Sequence, residues 1–193
     1  MASSGRGSKI KGSGYELKLA KILSAWSSEQ VHRVPQSGAG GHTWGADSRM
    51  NGDIVFPVES KNSFVYEAKK REGWGLHNLL LGTGEIKTWF EQVVMDSRRM
   101  AKYGMSPCLI FSKNRDKDYV LLPYVEEIYF ALDQNYPVSR QTVSFPDIRG
   151  DVQYFDTLLT TLDGFTSFDK EYLFDIYRNL DWDAYADQYT EGT

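Results

Sequence analysis

Two acids and a lysine meet in a pattern that few folds can host: Asp53-Ile54-Val55, then, after a hairpin-length gap, Val65-Tyr66-Glu67-Ala68-Lys69. Side chains alternate along an extended strand, so Glu67 and Lys69 share one face with Ala68 behind them. An acid at the end of one apolar strand and a Glu-Ala-Lys triplet on the next place two carboxylates and one ammonium at a single point. Facing oxygen ligands suit Mg²⁺, which keeps several waters for substrate phosphate. A lysine beside them orients or deprotonates the attacking water and stabilises charge growing on the phosphate. The pattern is that of phosphodiester hydrolysis. Glu-x-Lys triplets also decorate solvated strands, but a solvated edge alternates more regularly than Ile54, Val55 and Phe56 or Val65 and Tyr66 do.

The remaining order of elements frames this pair. A helical pattern over about 13–27 carries Leu19, Ala20, Leu23 and Trp26 at three- and four-residue spacing, with Glu16 in its first turn, where the helix dipole favours a carboxylate. A short strand at 31–35, strands near 53–58 and 63–69, a long helix from about Glu85 to Tyr103, and strands at 107–112 and 119–122 follow, then a helix to about Asp133. This succession predicts an α/β fold with a central mixed β-sheet flanked by helices. The segment 36–51 is long for a loop and holds His42, Trp44 and Arg49. The turn Lys70-Arg71-Glu72-Gly73-Trp74-Gly75 directly follows the triplet. There Lys70 and Arg71 are expected to contact phosphate and Trp74 to stack on an unpaired base. Gln92 faces either the site or solvent.

Charge divides along the chain. The whole carries −4, but residues 1–120 hold 18 Lys and Arg against 12 Asp and Glu, and residues 121–193 hold 4 against 14. The part bearing every motif is therefore basic, as a phosphate-binding surface requires. Residues 1–12 read as a flexible basic arm in which Lys9 and Lys11 contact DNA. Residues 13–134 read as the core, and 135–193 as an acidic aromatic extension packed on the core or on a dimer partner. Its many aromatics argue for an extra helical layer rather than disorder, with occupation of the basic cleft as the competing role and a frayed end at 181–193. No apolar run is long enough to span a bilayer, so no membrane partner is expected. The first residues lack the apolar stretch of a signal peptide. A single Cys108 in an apolar strand reads as a buried thiol, which excludes an internal disulfide and points to a reducing, cytoplasmic compartment. With one Cys and three His, a structural zinc site is not expected.

Gly52-Asp53 and Glu67-Ala68-Lys69 resemble the signature of the PD-(D/E)XK nuclease superfamily, with glycine where the name has proline. Lys11-Gly12-Ser13-Gly14-Tyr15-Glu16, the strand Val31-His32-Arg33-Val34-Pro35 and the following Gln36-Ser37-Gly38 resemble its archaeal and phage Holliday-junction resolvases. The resemblance spans about Lys11 to Val120, with four motifs in the family's order. It implies a restriction-endonuclease-like core and a nuclease requiring Mg²⁺, with Mn²⁺ as a substitute. Asp53, Glu67 and the Ala68 carbonyl would hold the metal, Glu16 would complete or tune its site, Lys69 would act on water and phosphate, and Arg33 and Ser37 would contact the scissile phosphate. Branched or duplex DNA would be the substrate and a homodimer the working unit, in a phage-encoded protein of a bacterial host. Leu17 where many relatives have arginine, and a longer 37–52 loop, set this chain apart. A restriction- or repair-type nuclease on duplex DNA, and a non-catalytic DNA-binding or assembly protein on the same fold, are the alternatives.

Overall fold

Alternation along the strand Phe64–Lys70 divides the interior in two. Phe64, Tyr66 and Ala68 enter one buried cluster and Val65 enters the other. Glu67 and Lys69 follow Val65 to the second face by the period of two. The computed structural model describes residues 4–34 and 51–186, with side chains from residue 12. In chain order its elements are α1 (Ser4–Ser27), β1 (His32–Arg33), β2 (Ile54–Val55), β3 (Phe64–Lys70), α2 (Leu76–Leu80) and α3 (Glu85–Arg99). A 3-10 turn at Ala101–Tyr103 leads to β4 (Ser106–Ser112), β5 (Tyr119–Pro123), α4 (Glu126–Asp133), β6 (Val138–Pro146), β7 (Val152–Thr161), α5 (Leu162–Phe165) and α6 (Lys170–Tyr177).

The strands form one seven-stranded sheet in the order β1-β2-β3-β4-β5-β7-β6. Only β3 and β4 pair in parallel, and the connection between them runs through α2 and α3. A parallel pair needs such a crossover, because a tight turn cannot return the chain to the same end. The helix α1 supplies Leu19, Ala20 and Leu23 to one face, joined there by Ile128 and Leu132 of α4, Phe165 of α5, and Leu173 and Phe174 of α6. On the other face α3 buries Ile86, Phe90, Val93 and Val94, the spacing of an amphipathic helix. The mixed sheet flanked by helices is the arrangement the sequence predicts.

Two differences are instructive. The first helix starts at Ser4 rather than near residue 13, so Lys9 and Lys11 lie on its backbone. The region after residue 134 is not a helical layer. Its first half is the hairpin β6–β7, and β7 pairs with β5 inside the central sheet, from Tyr119↔Thr161 to Pro123↔Thr157. Leu158, Leu162, Phe165, Phe174 and Tyr177 share a cluster with α1, so no domain boundary falls at 134. Part of the expected frayed end is also seated, since Trp182 and Tyr185 pack on the α3 side; residues 187–193 lie outside the described residues.

What seats it is a buried ion pair. Arg98 Nε and Nη2 donate to Asp183 Oδ2 and Oδ1 at 2.6 and 2.9 Å, and Nη2 also donates to Gln153 Oε1 at 2.7 Å. Both charged side chains are only 7% exposed. Arg98, near the end of α3, is therefore an interior charge and not part of the helix's solvent-facing side. Breaking such a pair strands a charge in a poor solvent, which costs roughly 3–5 kcal/mol. Asp183→Ala is expected to lower the melting temperature markedly, and Arg98→Met with Asp183→Leu to recover much of the loss. A melting temperature unchanged in Asp183→Ala would show the pair to be idle.

Cys108 is fully buried, and burial pushes its thiol well above the ordinary range, as an inert core cysteine requires. Among the described residues no helix is long and apolar enough to cross a membrane.

Candidate active site

The site is built on the break between β2 and β3. Gly52 has φ +92°, and a Cβ there would stand 2.4 Å from the Tyr66 carbonyl oxygen. Proline is excluded by its fixed negative φ, and any side chain by the contact. That explains glycine where the family signature has proline. The turn delivers Asp53 to a fixed place: its N–H donates to Tyr66 O at 2.8 Å and its carbonyl accepts from Val34 N–H at 2.9 Å. Its carboxylate Oδ2 accepts the Ala68 N–H at 2.9 Å, so Asp53 is tied to the strand that carries Glu67 and Lys69. Residues of a strand turn N–H and C=O to the same edge, which puts the Ala68 carbonyl on the Asp53 side. Gly52→Ala is expected to lower both stability and activity, because the strained turn costs about 1–3 kcal/mol and displaces Asp53. Thermal melting and a cleavage assay check this, and wild-type values for both would refute it.

Glu67 is a carboxyl buried beside the carboxyl of Asp53. Its side chain is 2% exposed, and burial, reinforced by the charge of Asp53, raises its carboxyl from 4.5 to about 8, although Lys69 pulls the other way. Lys69 Nζ lies against Glu67 Oε1 as a close ion pair and also donates to Gln92 Oε1 at 3.0 Å. Gln92 thus faces the site. One helical turn on, Asp96 faces it as well: burial raises its carboxyl, Arg99 at 2.6 Å opposes, and the charge of Asp53 raises it further.

From the opposite face of the sheet comes Glu16, whose Oε2 accepts from Arg33 Nη1 at 3.2 Å. Burial raises the Glu16 carboxyl, the charge of Asp53 adds to this, and Arg33 counters both. Glu16 and Arg33 are thereby drawn from α1 and β1 toward Asp53 and Lys69. Ser37, with His42, Trp44 and Arg49, lies outside the described residues, as do the side chains of Lys9 and Lys11. Lys70 Nζ sits 5.6 Å from the Tyr15 ring, and Arg71 is exposed on the next turn.

Trp74 corrects an expectation. It is 5% exposed, its ring packs edge-on against Phe111 at 5.0 Å and Tyr119 at 5.9 Å, and its Nε1 donates to Arg71 O. An indole enclosed in this way has no free face for a base. Asp96 was not singled out from the sequence, though its place four residues after Gln92 puts both on one helical face.

The donors suit a hard divalent cation. Two carboxyl groups buried side by side repel each other as anions, and the Lys69 ammonium does not by itself return Glu67 to the ordinary carboxylate range, so a further cation would let both ionise. Among the described residues no three His, Cys, Asp or Glu side chains close on one point, which leaves the set at two carboxylates and a carbonyl, with water to complete the shell.

A family described as "Phage putative PDDEXK endonuclease" matches residues 7–175, most of the chain. The chain belongs to this family. The match extends beyond residue 134, in keeping with a sheet that closes only with β7. Protein D14 of Escherichia phage T5 is 29% identical over 119 residues, which cover 60% of this chain and 70% of that protein. No solved structure matches. In this member of the family, Asp53, Glu67 and Lys69 are brought together by the turn at Gly52 and the strand β3.

Proposed function

We propose that the chain is a divalent-metal-dependent DNA endonuclease that cuts branched DNA of the four-way-junction type, working as a homodimer. The observation that supports the metal dependence is the pair of buried carboxyl groups, Asp53 and Glu67, set side by side with Lys69 against one of them. Asp53, Glu67 and the Ala68 carbonyl would hold Mg²⁺, or Mn²⁺ in its place, and Glu16 would tune that site. The metal supplies positive charge to the phosphate and a more acidic bound water.

The remaining work belongs to the chain's own side chains. Lys69, steadied by Gln92, orients the attacking water and faces the charge that grows on phosphate, and the proton the water loses is balanced by the one the departing sugar oxygen gains. Arg33, aligned by Glu16, offers the phosphate a donor, with Ser37 as a second. Water adds to phosphorus, the bond to one sugar oxygen breaks, and a phosphomonoester and an alcohol result. The branched-DNA preference rests on the Glu16–Arg33 pair and the motifs around it. Paired incision across a junction calls for two related sites, hence the dimer. The cytoplasm of an infected bacterial host is the matching location.

The test is cleavage of labelled four-way junction and linear duplex, each with Mg²⁺ or with EDTA. Junction cut in preference to linear DNA, and only with Mg²⁺, is the expected result. Equal cutting of both would move the assignment to a restriction- or repair-type nuclease, and cutting in EDTA would remove the metal.

A further inference from the structure

Beside the site, two turns and the exposed face of α1 are locked into one cationic rim. Tyr15 OH and Lys18 Nζ both donate to Asp118, at 3.0 and 2.7 Å, which ties α1 to the start of β5. Lys70 lies over the same Tyr15 ring. The turn after β3 is joined to the β4–β5 turn by three contacts. Glu72 Oε1 accepts from Asn114 N–H at 3.0 Å, Lys113 Nζ donates to Trp74 O at 3.4 Å, and the same Nζ stands 5.0 Å from the Trp74 ring. Ser112 Oγ reaches the carbonyls of both Lys113 and Lys117, closing the second turn on itself. The buried Trp74 is thus the wedge that unites the two turns.

The acids of this region are turned to internal duties. Asp118 is held by Tyr15 and Lys18, and Asp116 accepts from Lys117 N–H and Tyr119 OH. Exposed Glu72 and Asp116 are engaged by Asn114 N–H and by Lys113, and exposed cations stand beside them. Arg115, exposed at the tip, has φ 61° and no ion-pair partner among the described residues. Exposed Lys21 lies one turn beyond Lys18 on α1. Lys117 has only an exposed contact with Asp163 at 3.6 Å, a pair of little worth in water. A left-handed arginine costs free energy, and such strain is retained where a side chain has a task.

We propose that Lys18, Lys21, Lys70, Arg71, Arg115 and Lys117 form a binding surface for the sugar-phosphate backbone of a double-stranded DNA arm outside the point of cleavage. The proposal rests on the DNA-cleaving function above. Its continuity with that site is direct, since Tyr15 adjoins Glu16 and Lys70 adjoins Lys69. The turns that carry these cations are already tied together, so their backbone loses little entropy on binding, and each phosphate neutralised releases counterions.

The experiment uses the full chain with Lys21→Ala, Arg115→Gly and Lys117→Ala together, and Lys61→Ala with Lys102→Ala as a control away from the rim. Glycine accepts the backbone of position 115 more readily than arginine, so a loss of binding is not a loss of fold. Affinity for fluorescent duplex and four-way-junction DNA is read against salt without divalent metal, and turnover is read at saturating DNA with Mg²⁺. The rim variant is expected to bind at least about tenfold more weakly at low salt, with a salt slope smaller by about two to three. Its turnover should stay near wild type and the control should be unchanged. A slope equal to wild type, or a fall no larger than the control's, overturns the proposal. If wild-type protein binds and cuts DNA while the rim variant matches it, only the rim fails; if wild type neither binds nor cuts, the nuclease function fails first.

Discussion

Glu67→Gln is expected to abolish cleavage and to stabilise the metal-free protein. Cleavage is lost because the glutamine amide is a poor ligand for a hard cation, and the charge such a cation brings to the transition state is worth several kcal/mol, about a thousandfold or more in rate. Asp53→Asn is expected to fall to the same background. The stability effect follows from the raised carboxyl. Folded Glu67 gives up its proton near pH 8 and the unfolded residue near 4.5. Between those values the folded state binds the extra proton, so the contribution is complete below about pH 4.5 and is lost as pH rises toward 8. The loss is on the order of a few kcal/mol. Glutamine does not titrate and escapes it. Melting temperatures taken from pH 5 to 8 should fall for wild type in EDTA and stay flatter for Glu67→Gln, with added Mg²⁺ restoring wild type at the upper end. Parallel curves for the two proteins would mean that Glu67 is ionised at no cost, and the metal-site assignment would lose its main support.

Lys69→Ala is expected to lower the rate by roughly a hundred- to ten-thousandfold, the range of a positioned proton-transfer group. Folding should survive, since the ammonium is partly exposed and its amide partner Gln92 already reaches solvent. Gln92→Ala should show a smaller loss of the same kind, because it removes the support of Lys69 and not the ammonium itself. The deciding measurement is single-turnover cleavage at saturating DNA and metal. A decline of less than about tenfold in Lys69→Ala would leave the lysine as the counter-ion of Glu67 and no more.

The sequence alone determined the centre of this protein. Asp53 at a strand start and Glu67 and Lys69 two apart on a strand are local relations, and the strand's period of two keeps them whatever the surroundings. The apolar face of α3 is equally local, because Ile86, Phe90, Val93 and Val94 follow the helical repeat. Partner choice is different. An indole in a charged turn serves a base or a core equally well, and only Phe111 and Tyr119, brought in by β4 and β5, made Trp74 part of the interior. Which way Gln92 and Asp96 turn depended on how α3 sits against β3. Arg98 read as a surface charge because its partner Asp183 is distant in the chain and comes near only in the fold. The strands β6 and β7 were obscured by their acids and aromatics, although Gln153, Phe155 and Thr157 alternate inward. Whether such a segment adds a layer or a strand is decided by a free sheet edge, and β5 supplied it. Local periodicity needs only near neighbours along the chain; partners that are distant in sequence are chosen by packing and desolvation across the whole molecule.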